Sequence, residues 1–318
     1  MLKRMLKAFQ SLRRGPITLA EALPWLVPKV RPRFVYEALA LRTGLPGPVF
    51  EPLAGIFAVS LVLDLPDQEL DVGAAELAAW NVDFDRLLQR ARSNLLARGG
   101  EEAFQRVGPG RYRSTWRDNL DGSRLLLPGL LQRLPLRGDP VVLLPNRDTL
   151  LVLGSDDPQG LDWALAGALE HLDEDPRSLN GCPLRLRNYH WEPFHPRDPH
   201  PLLARIHKRR LKDEYGRQKA LLDRRHGAQG KAITLAPFHL SQGASFTLWN
   251  PAMGEAWLPE ADQVRLAWEW GRERGRAWVS WAKVQGRLSQ LLEPVGLFPE
   301  RYRFKRMPEP GLLESLLG

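Results

Sequence analysis

Two charged turns hold the residues whose types and spacing could do chemistry. In TWRDNLDGSRLLLP, residues 115–128, Asp118 and Asp121 are followed by Arg124, and in PNRDTLLVLG, residues 145–154, Arg147 precedes Asp148. Paired carboxylates can share acid and base work or hold a metal, and an arginine among them can hold an anion. The structural alternative has Asp121 capping a helix while Arg124 pairs with Asp148 to pin that helix to a strand corner. Asp118, Asp121, Arg124, Arg147 and Asp148 are therefore the candidate catalytic set. The clasp is the expected use, because ion-pair networks imitate sites and no histidine or serine in a motif context accompanies these residues.

Six of the seven histidines (His190, His195, His200, His207, His226, His239) fall between residues 190 and 239. His195, Asp198, His200 and Cys182 form an imaginable ligand set. HPRDPH, however, lacks the HxxxH or HExxH spacing that places two rings on one helix face, so a linker and no metal is expected. No cofactor is expected either. A single cysteine excludes an internal disulfide and fits a reducing, cytoplasmic setting.

The net charge of +8 is unevenly spread. Residues 1–14 carry Lys3, Arg4, Lys7, Arg13 and Arg14 without an acid, and residues 200–231 carry ten Lys/Arg against three acids. Residues 265–306 carry ten against four, so the remainder is acidic. Such an arrangement binds an anionic partner or joins the chain's own parts. Candidate binding residues are Arg209, Arg210, Arg224 and Arg225 on a basic helix over 201–226, with Trp278 and Trp281 from the tryptophan-rich segment after it. Protein contact through exposed tryptophan is favoured over stacking on single-stranded nucleic acid, since no nucleic-acid motif accompanies the charge. Residues 1–14 place Leu2, Met5, Leu6, Phe9 and Leu12 on one helical face, expected to dock on the domain rather than on an anionic membrane surface. No apolar run reaches the roughly 18 residues of a membrane span, and no secretory signal is read.

The elements that must position these residues follow from periodicity. The first fifty residues read as short helices, one opened by the capping box Thr18 to Glu21 and one closed by Gly44. IFAVSLVLDL is a buried strand, and NVDFDRLLQRARSNLLA is a helix burying Leu87, Leu88, Ala91 and Leu95 with Asn81 or Asp83 as cap. AFQRV and YRSTW flank a GPG turn, PVVLLPNRDTLLVLG reads as two strands, DDPQGLDWALAGALEHL as a helix, and PLRLRNYHWEPF as one strand. Beyond the basic helix, alternation puts Val264, Leu266, Trp268 and Trp270 on one strand face. The expected fold is α+β, an antiparallel or mixed sheet with helices packed on it, plus a smaller C-terminal α+β unit. The domain reading is a helical segment over 1–50, a core over 51–194 and a basic, tryptophan-rich domain over 195–318.

SNLLA (93–97), DGSRLL (121–126) and PNRDTLLVLG, in that order and spacing, make residues 50–160 resemble the uncharacterised bacterial YtpQ-type proteins, which carry a domain of unknown function. That resemblance implies a fold and no activity. The expected function is that of a non-catalytic interaction or scaffold component. Two alternatives stand beside it: a nucleic-acid binder using the basic helix, and an enzyme of unknown class using the charged turns.

Overall fold

The computed structural model describes residues 17–44, 47–99, 104–174, 179–270, 273–304, 311–312 and 316. The amphipathic reading of residues 1–14 lies outside them. The fold is α+β, built on antiparallel and mixed sheets.

Helix α1 (Leu19–Ala22) opens with the expected reciprocal cap, in which the Thr18 amide donates to Glu21 at 2.9 Å and the Glu21 amide to Thr18 Oγ1 at 3.4 Å. The segment after it departs from the helical reading of residues 1–50: Leu26–Pro32 is strand β1. It pairs antiparallel with β3 (Phe57–Leu65), from Leu26 opposite Leu63 to Pro32 opposite Phe57. Pro28, read as a helix stop, is tolerated because β1 is an edge strand with one neighbour, so the missing amide breaks no ladder. The other edge of β3 is shared by β2 (Phe50–Leu53) and β4 (Gln68–Asp71), and α2 (Arg33–Thr43) ends at Gly44 in the left-handed conformation. A boundary at residue 50 would therefore cut through this sheet.

Helix α3 (Ala74–Trp80) leads to α4 (Phe84–Ala97), which buries Leu87, Leu88, Ala91 and Leu95 and is capped by Asp83, whose Oδ1 accepts from the Arg86 amide at 2.7 Å. Asn94 ties this helix to the first sheet by donating to the Leu23 and Leu26 carbonyls, each at 2.8 Å. The second sheet is antiparallel, in the order β10-β9-β7-β8-β6-β5. Its strands are β5 (Phe104–Gly108), β6 (Arg111–Ser114), β7 (Pro140–Asn146), β8 (Thr149–Gly154), β9 (Leu184–Arg187) and β10 (His190–Pro193). The segment read as one strand over 183–194 is the β9–β10 hairpin, because Asn188 and Tyr189 adopt φ of 49° and 63°, the backbone of a tight two-residue turn.

Alternation along β7 and β8 splits the core. Val142, Leu144, Leu150 and Val152 face the first sheet and α4, whereas Val141, Leu143, Leu151 and Leu153 face α6 (Pro158–Glu174) and the start of α7 (Pro201–Ala228). Between β6 and β7 lie a 3-10 turn over Gly122–Leu126 and α5 (Pro128–Gln132), with Pro128 at its first position.

Helix α7 has 28 residues and spans about 42 Å. Beyond it two four-stranded sheets pack around Trp249, Leu258, Val264, Leu266 and Phe304. One holds β11 (Thr234–Leu235), β14 (Ala256–Pro259), β18 (Arg301–Phe304) and β17 (Glu293–Pro294). The other holds β12 (His239–Ser241), β13 (Ala244–Trp249), β15 (Gln263–Trp270) and β16 (Glu273–Ser280), followed by α8 (Trp281–Leu288). Val264 and Leu266 are buried and Trp268 packs beside them, as alternation implies. No helix among the described residues is long and apolar enough to cross a membrane.

Candidate functional site: a basic cleft along helix α7

The two charged turns do meet, and their geometry is that of a clasp. Arg124 is fully buried, its guanidinium 4.1 Å above the Trp116 ring, and it donates to both oxygens of Asp118 at 2.9 and 2.8 Å. The expected partner, Asp148, instead accepts from the Asn119 amide at 3.0 Å. Positive φ at Arg117 and Asn119, 53° and 68°, folds the loop back so that Asp118, not the strand corner, covers Arg124. Asp121 makes no side-chain cap, because the turn it opens is 3-10; its Oδ2 accepts from the Asp118 amide at 3.3 Å. Asp121 and Arg124 are both without solvent exposure, so neither offers a face to a substrate.

Arg147 lines a different space. A cleft of about 1270 Å³ runs between α2, the β7–β8 corner and one side of α7. Arg31 and Arg147 line it together with Arg205, Arg209, Arg210, Lys212 and Arg217, against Asp173, Asp213 and Glu214. Spacings of three and four put Arg205, Arg209, Lys212 and Gly216 on one helical stripe. Arg209 pairs with Asp173, Arg217 with Asp213 at 3.0 Å, and Arg210 with Glu214 at 2.6 Å. Arg205 and Lys212 have no such partner among the described residues. The floor is apolar, with Pro32, Val35, Leu179 and Leu240, and its one aromatic ring, Phe34, is buried.

Four buried donors of this cleft find no acceptor among the described residues: Arg31 Nε, Arg147 Nε, Asn180 Nδ2 and Arg210 Nε. Buried polar atoms of a folded chain are nearly always paired, so these four donors have capacity for acceptors supplied by solvent or by a bound group.

Behind α7, Cys182 Sγ lies 3.9 Å from His207 Nδ1, a pairing that could suggest a nucleophile and its base. Burial pushes the thiol up to about 11, while burial, then the nearby Arg210 and His195, hold the imidazole down to about 4. Thiol and neutral ring are the stable forms, the opposite of an activated pair. Burial also raises Glu214 to about 7 despite Arg210 beside it. His200 bonds Asp162 at 2.9 Å, and among the described residues no group of three His, Cys, Asp or Glu side chains is placed to hold a metal.

The chain matches no family model, no curated protein and no solved structure. The site must therefore be judged on its own geometry.

Of the residues singled out in the sequence, Arg209, Arg210 and Arg147 reach the cleft. Arg224 and Arg225 are exposed on the last turns of α7, beyond its lining. Trp278 is 53 % exposed and packs edge-on to Phe246, with Arg265 5.8 Å from its ring. Trp281 is no binding residue: it is 4 % exposed and packs with Val284 and Leu288 in the C-terminal core. Arg205 and Lys212 were legible as part of the Arg205–Arg209–Lys212 stripe, whereas nothing in the sequence points to Arg31 or Asn180, which enter from distant elements.

A second cleft of about 1240 Å³ separates α7 from the C-terminal sheets. Its Lys208 is already held by Asp262 at 2.7 Å and by the Gly243 carbonyl at 2.6 Å.

Proposed function

We propose that the chain is a non-catalytic interaction protein whose basic cleft takes an acidic segment of a partner protein. The observation that carries this reading is the lining itself: seven cationic side chains against three carboxylates over an apolar floor. Cations there steer and register an acidic chain, and the floor takes the apolar side chains between its acids. Single-stranded nucleic acid is the weaker reading, because stacking needs an exposed ring and Phe34 is 4 % exposed. Catalysis is disfavoured by the buried clasp at Asp118 and Arg124 and by the inactive protonation states of Cys182 and His207. The lone, buried Cys182 fits a cytoplasmic setting, and the YtpQ-type resemblance adds no activity to weigh against binding.

Fluorescence anisotropy with a labelled Glu/Leu-rich peptide and a single-stranded oligonucleotide of equal charge tests it. The peptide is expected to bind more tightly, and the triple variant Arg205→Glu, Lys212→Glu, Arg217→Glu to lose that binding at least about tenfold while keeping its melting temperature. Tighter binding of the oligonucleotide, or an unaltered triple variant, overturns it.

A further inference from the structure

We infer that the wall of the basic cleft formed by Arg31, Arg147, Asn180 and Arg210 is a phosphate-monoester site, which reads a phosphorylated side chain on the bound segment. This inference rests on the acidic-segment reading for the source of the phosphate, not for the site itself.

The four donors come from separate places: the end of β1, the β7–β8 corner, the segment before β9 and the middle of α7. A backbone hydrogen bond brings two of these together. The Leu179 amide bonds the Pro145 carbonyl at 2.8 Å, which sets Asn180 beside the corner that carries Arg147. Asn180 Oδ1 accepts from the Cys182 amide at 3.0 Å, and Arg31 and Arg210 line the same cleft from β1 and α7.

Three of the four are fastened at one end and, among the described residues, unpartnered at the other. Arg31 gives Nη2 to Glu69 at 2.5 Å and leaves Nε; Arg210 gives Nη1 to Glu214 at 2.6 Å and leaves Nε; Asn180 spends Oδ1 and leaves Nδ2. Asn180 is 3 % exposed, so its free amide donor is desolvated before any ligand arrives. Fastened donors lose little freedom on binding, which is the condition for a preorganised site.

The number and kind of donors select the ligand. A carboxylate presents two oxygens, and two guanidinium edges saturate it. A phosphate monoester presents three terminal oxygens and close to two negative charges at neutral pH, which matches three guanidinium groups and one neutral amide donor. Arg147, with no carboxylate partner among the described residues, supplies charge that is not already neutralised. Glu214 faces the same wall and opposes an anion unless it is protonated, whereas Asp173 and Asp213 are held by Arg209 and Arg217.

The test is calorimetric titration of the full chain with four probes: an acidic peptide carrying phosphoserine, the same peptide with serine, the same with glutamate, and phenyl phosphate. The phosphoserine peptide is expected to bind about 30-fold more tightly than the serine peptide, the gain of one or two charge-assisted hydrogen bonds. Glutamate should recover less than half of that gain in free energy. Arg147→Ala, at a half-exposed corner, should abolish the preference for phosphoserine over serine while leaving the melting temperature in place, and Asn180→Asp should reverse it. Equal affinity for phosphoserine and serine peptides, or a preference that survives Arg147→Ala, overturns the site. If phenyl phosphate binds in an Arg147-dependent way while no peptide does, the site stands, its source is a small phosphorylated molecule, and the acidic-segment reading fails alone. If the serine peptide binds and phosphate adds nothing, the phosphate site fails alone.

Discussion

Asp121 and Asp118 sit three residues apart and are driven in opposite directions. Burial, helped by the nearby Asp118 charge, raises Asp121 above the usual carboxylate range. Asp118 also feels burial, but the Arg124 guanidinium and the Leu120 amide outweigh it and hold the group below that range. The two acids therefore answer differently to loss of charge. Asp118→Asn strands the buried Arg124 and is expected to cost about 3 kcal/mol, the low end for breaking a buried pair because Asp118 is a third exposed. Asp121→Asn keeps an oxygen for the Asp118 amide and removes a charge that burial disfavours. Its native state no longer holds an extra proton above the unfolded value, so the variant should match the parent in acid and equal or exceed it at neutral pH. Urea unfolding at pH 4 and 7 measures both, and equal losses in the two variants would remove the clasp. The cluster itself was legible from DNLDGSR and NRD. The choice of Asp118 over Asp148 was not, because it depends on a left-handed backbone at Arg117, a residue type that rarely adopts one.

Regular periodicity made most elements readable, and the exceptions have local causes. Helix α7 was expected over 201–226 and runs over Pro201–Ala228, with Tyr215 and Leu222 buried as spacing requires. Strand β1 was hidden by Pro28, and the β9–β10 turn by Asn188 and Tyr189, where no glycine signals a positive φ. The apolar stripe of α7 also conceals polar residues, since Glu214 and Gln218 lie on its buried face. Glu214 carries a pH dependence for the whole helix. Folded, burial keeps it protonated to about 7; unfolded, it ionises near its ordinary value of 4.5. Between those values the native state holds the extra proton, so its contribution to stability is complete in acid and is lost as pH rises to about 7. Glu214→Gln should flatten this descent, which is of the order of 3 kcal/mol for a shift of that size. Denaturation midpoints from pH 4 to 8 decide it, and a variant whose profile parallels the parent's would place the dependence elsewhere. Gly154 makes a steric case in the same layer: a Cβ there would overlap the Arg137 backbone where β8 ends. Gly154→Ala is accordingly expected to cost at least about 2 kcal/mol in the same assay, without altering the pH profile.

At the scale of the whole molecule, much of the basic charge that suggested a ligand is spent on joining the chain's own parts. Arg303 pairs with Glu255 at 2.8 Å and Arg274 with Glu269 at 2.6 Å. Arg301 is the extreme case, a cation with no solvent exposure whose hydrogen-bond partners among the described residues are all neutral. It donates to Gln218 Oε1 at 2.5 Å and to the carbonyls of Ala236, Trp257 and Tyr215 at 2.8, 3.1 and 3.3 Å. Gln218 in turn donates to the Pro299 carbonyl at 2.7 Å, and the Tyr215 hydroxyl to the Glu300 carbonyl at 2.7 Å. Burial lowers the Arg301 pKa only to about 10, so the group stays charged near neutrality. These contacts fasten α7 to β18 and thus to the C-terminal sheets, while the other end of α7, through Leu203 and Ile206, belongs to the core beneath α6. The helix is shared by both units, and Arg301 reaches four acceptors at its junction with the second. Arg301→Met fills much of the same volume but leaves Gln218 Oε1 and the Ala236 carbonyl without that donor, at about 1–3 kcal/mol for each unpaired group that water cannot reach, while the Trp257 carbonyl keeps the Ala236 amide and the Tyr215 carbonyl its place in the helix. The expected outcome in scanning calorimetry is a single transition in the parent and two in the variant. The lower should be accompanied by hydrogen exchange over 234–304, and the upper should retain the parent's protection in β7 and β8. A variant that still unfolds in one transition, or that loses protection in β7 and β8 together with β15, would show that the two units are coupled by the apolar contacts of Tyr215, Phe238 and Ala261 rather than by Arg301.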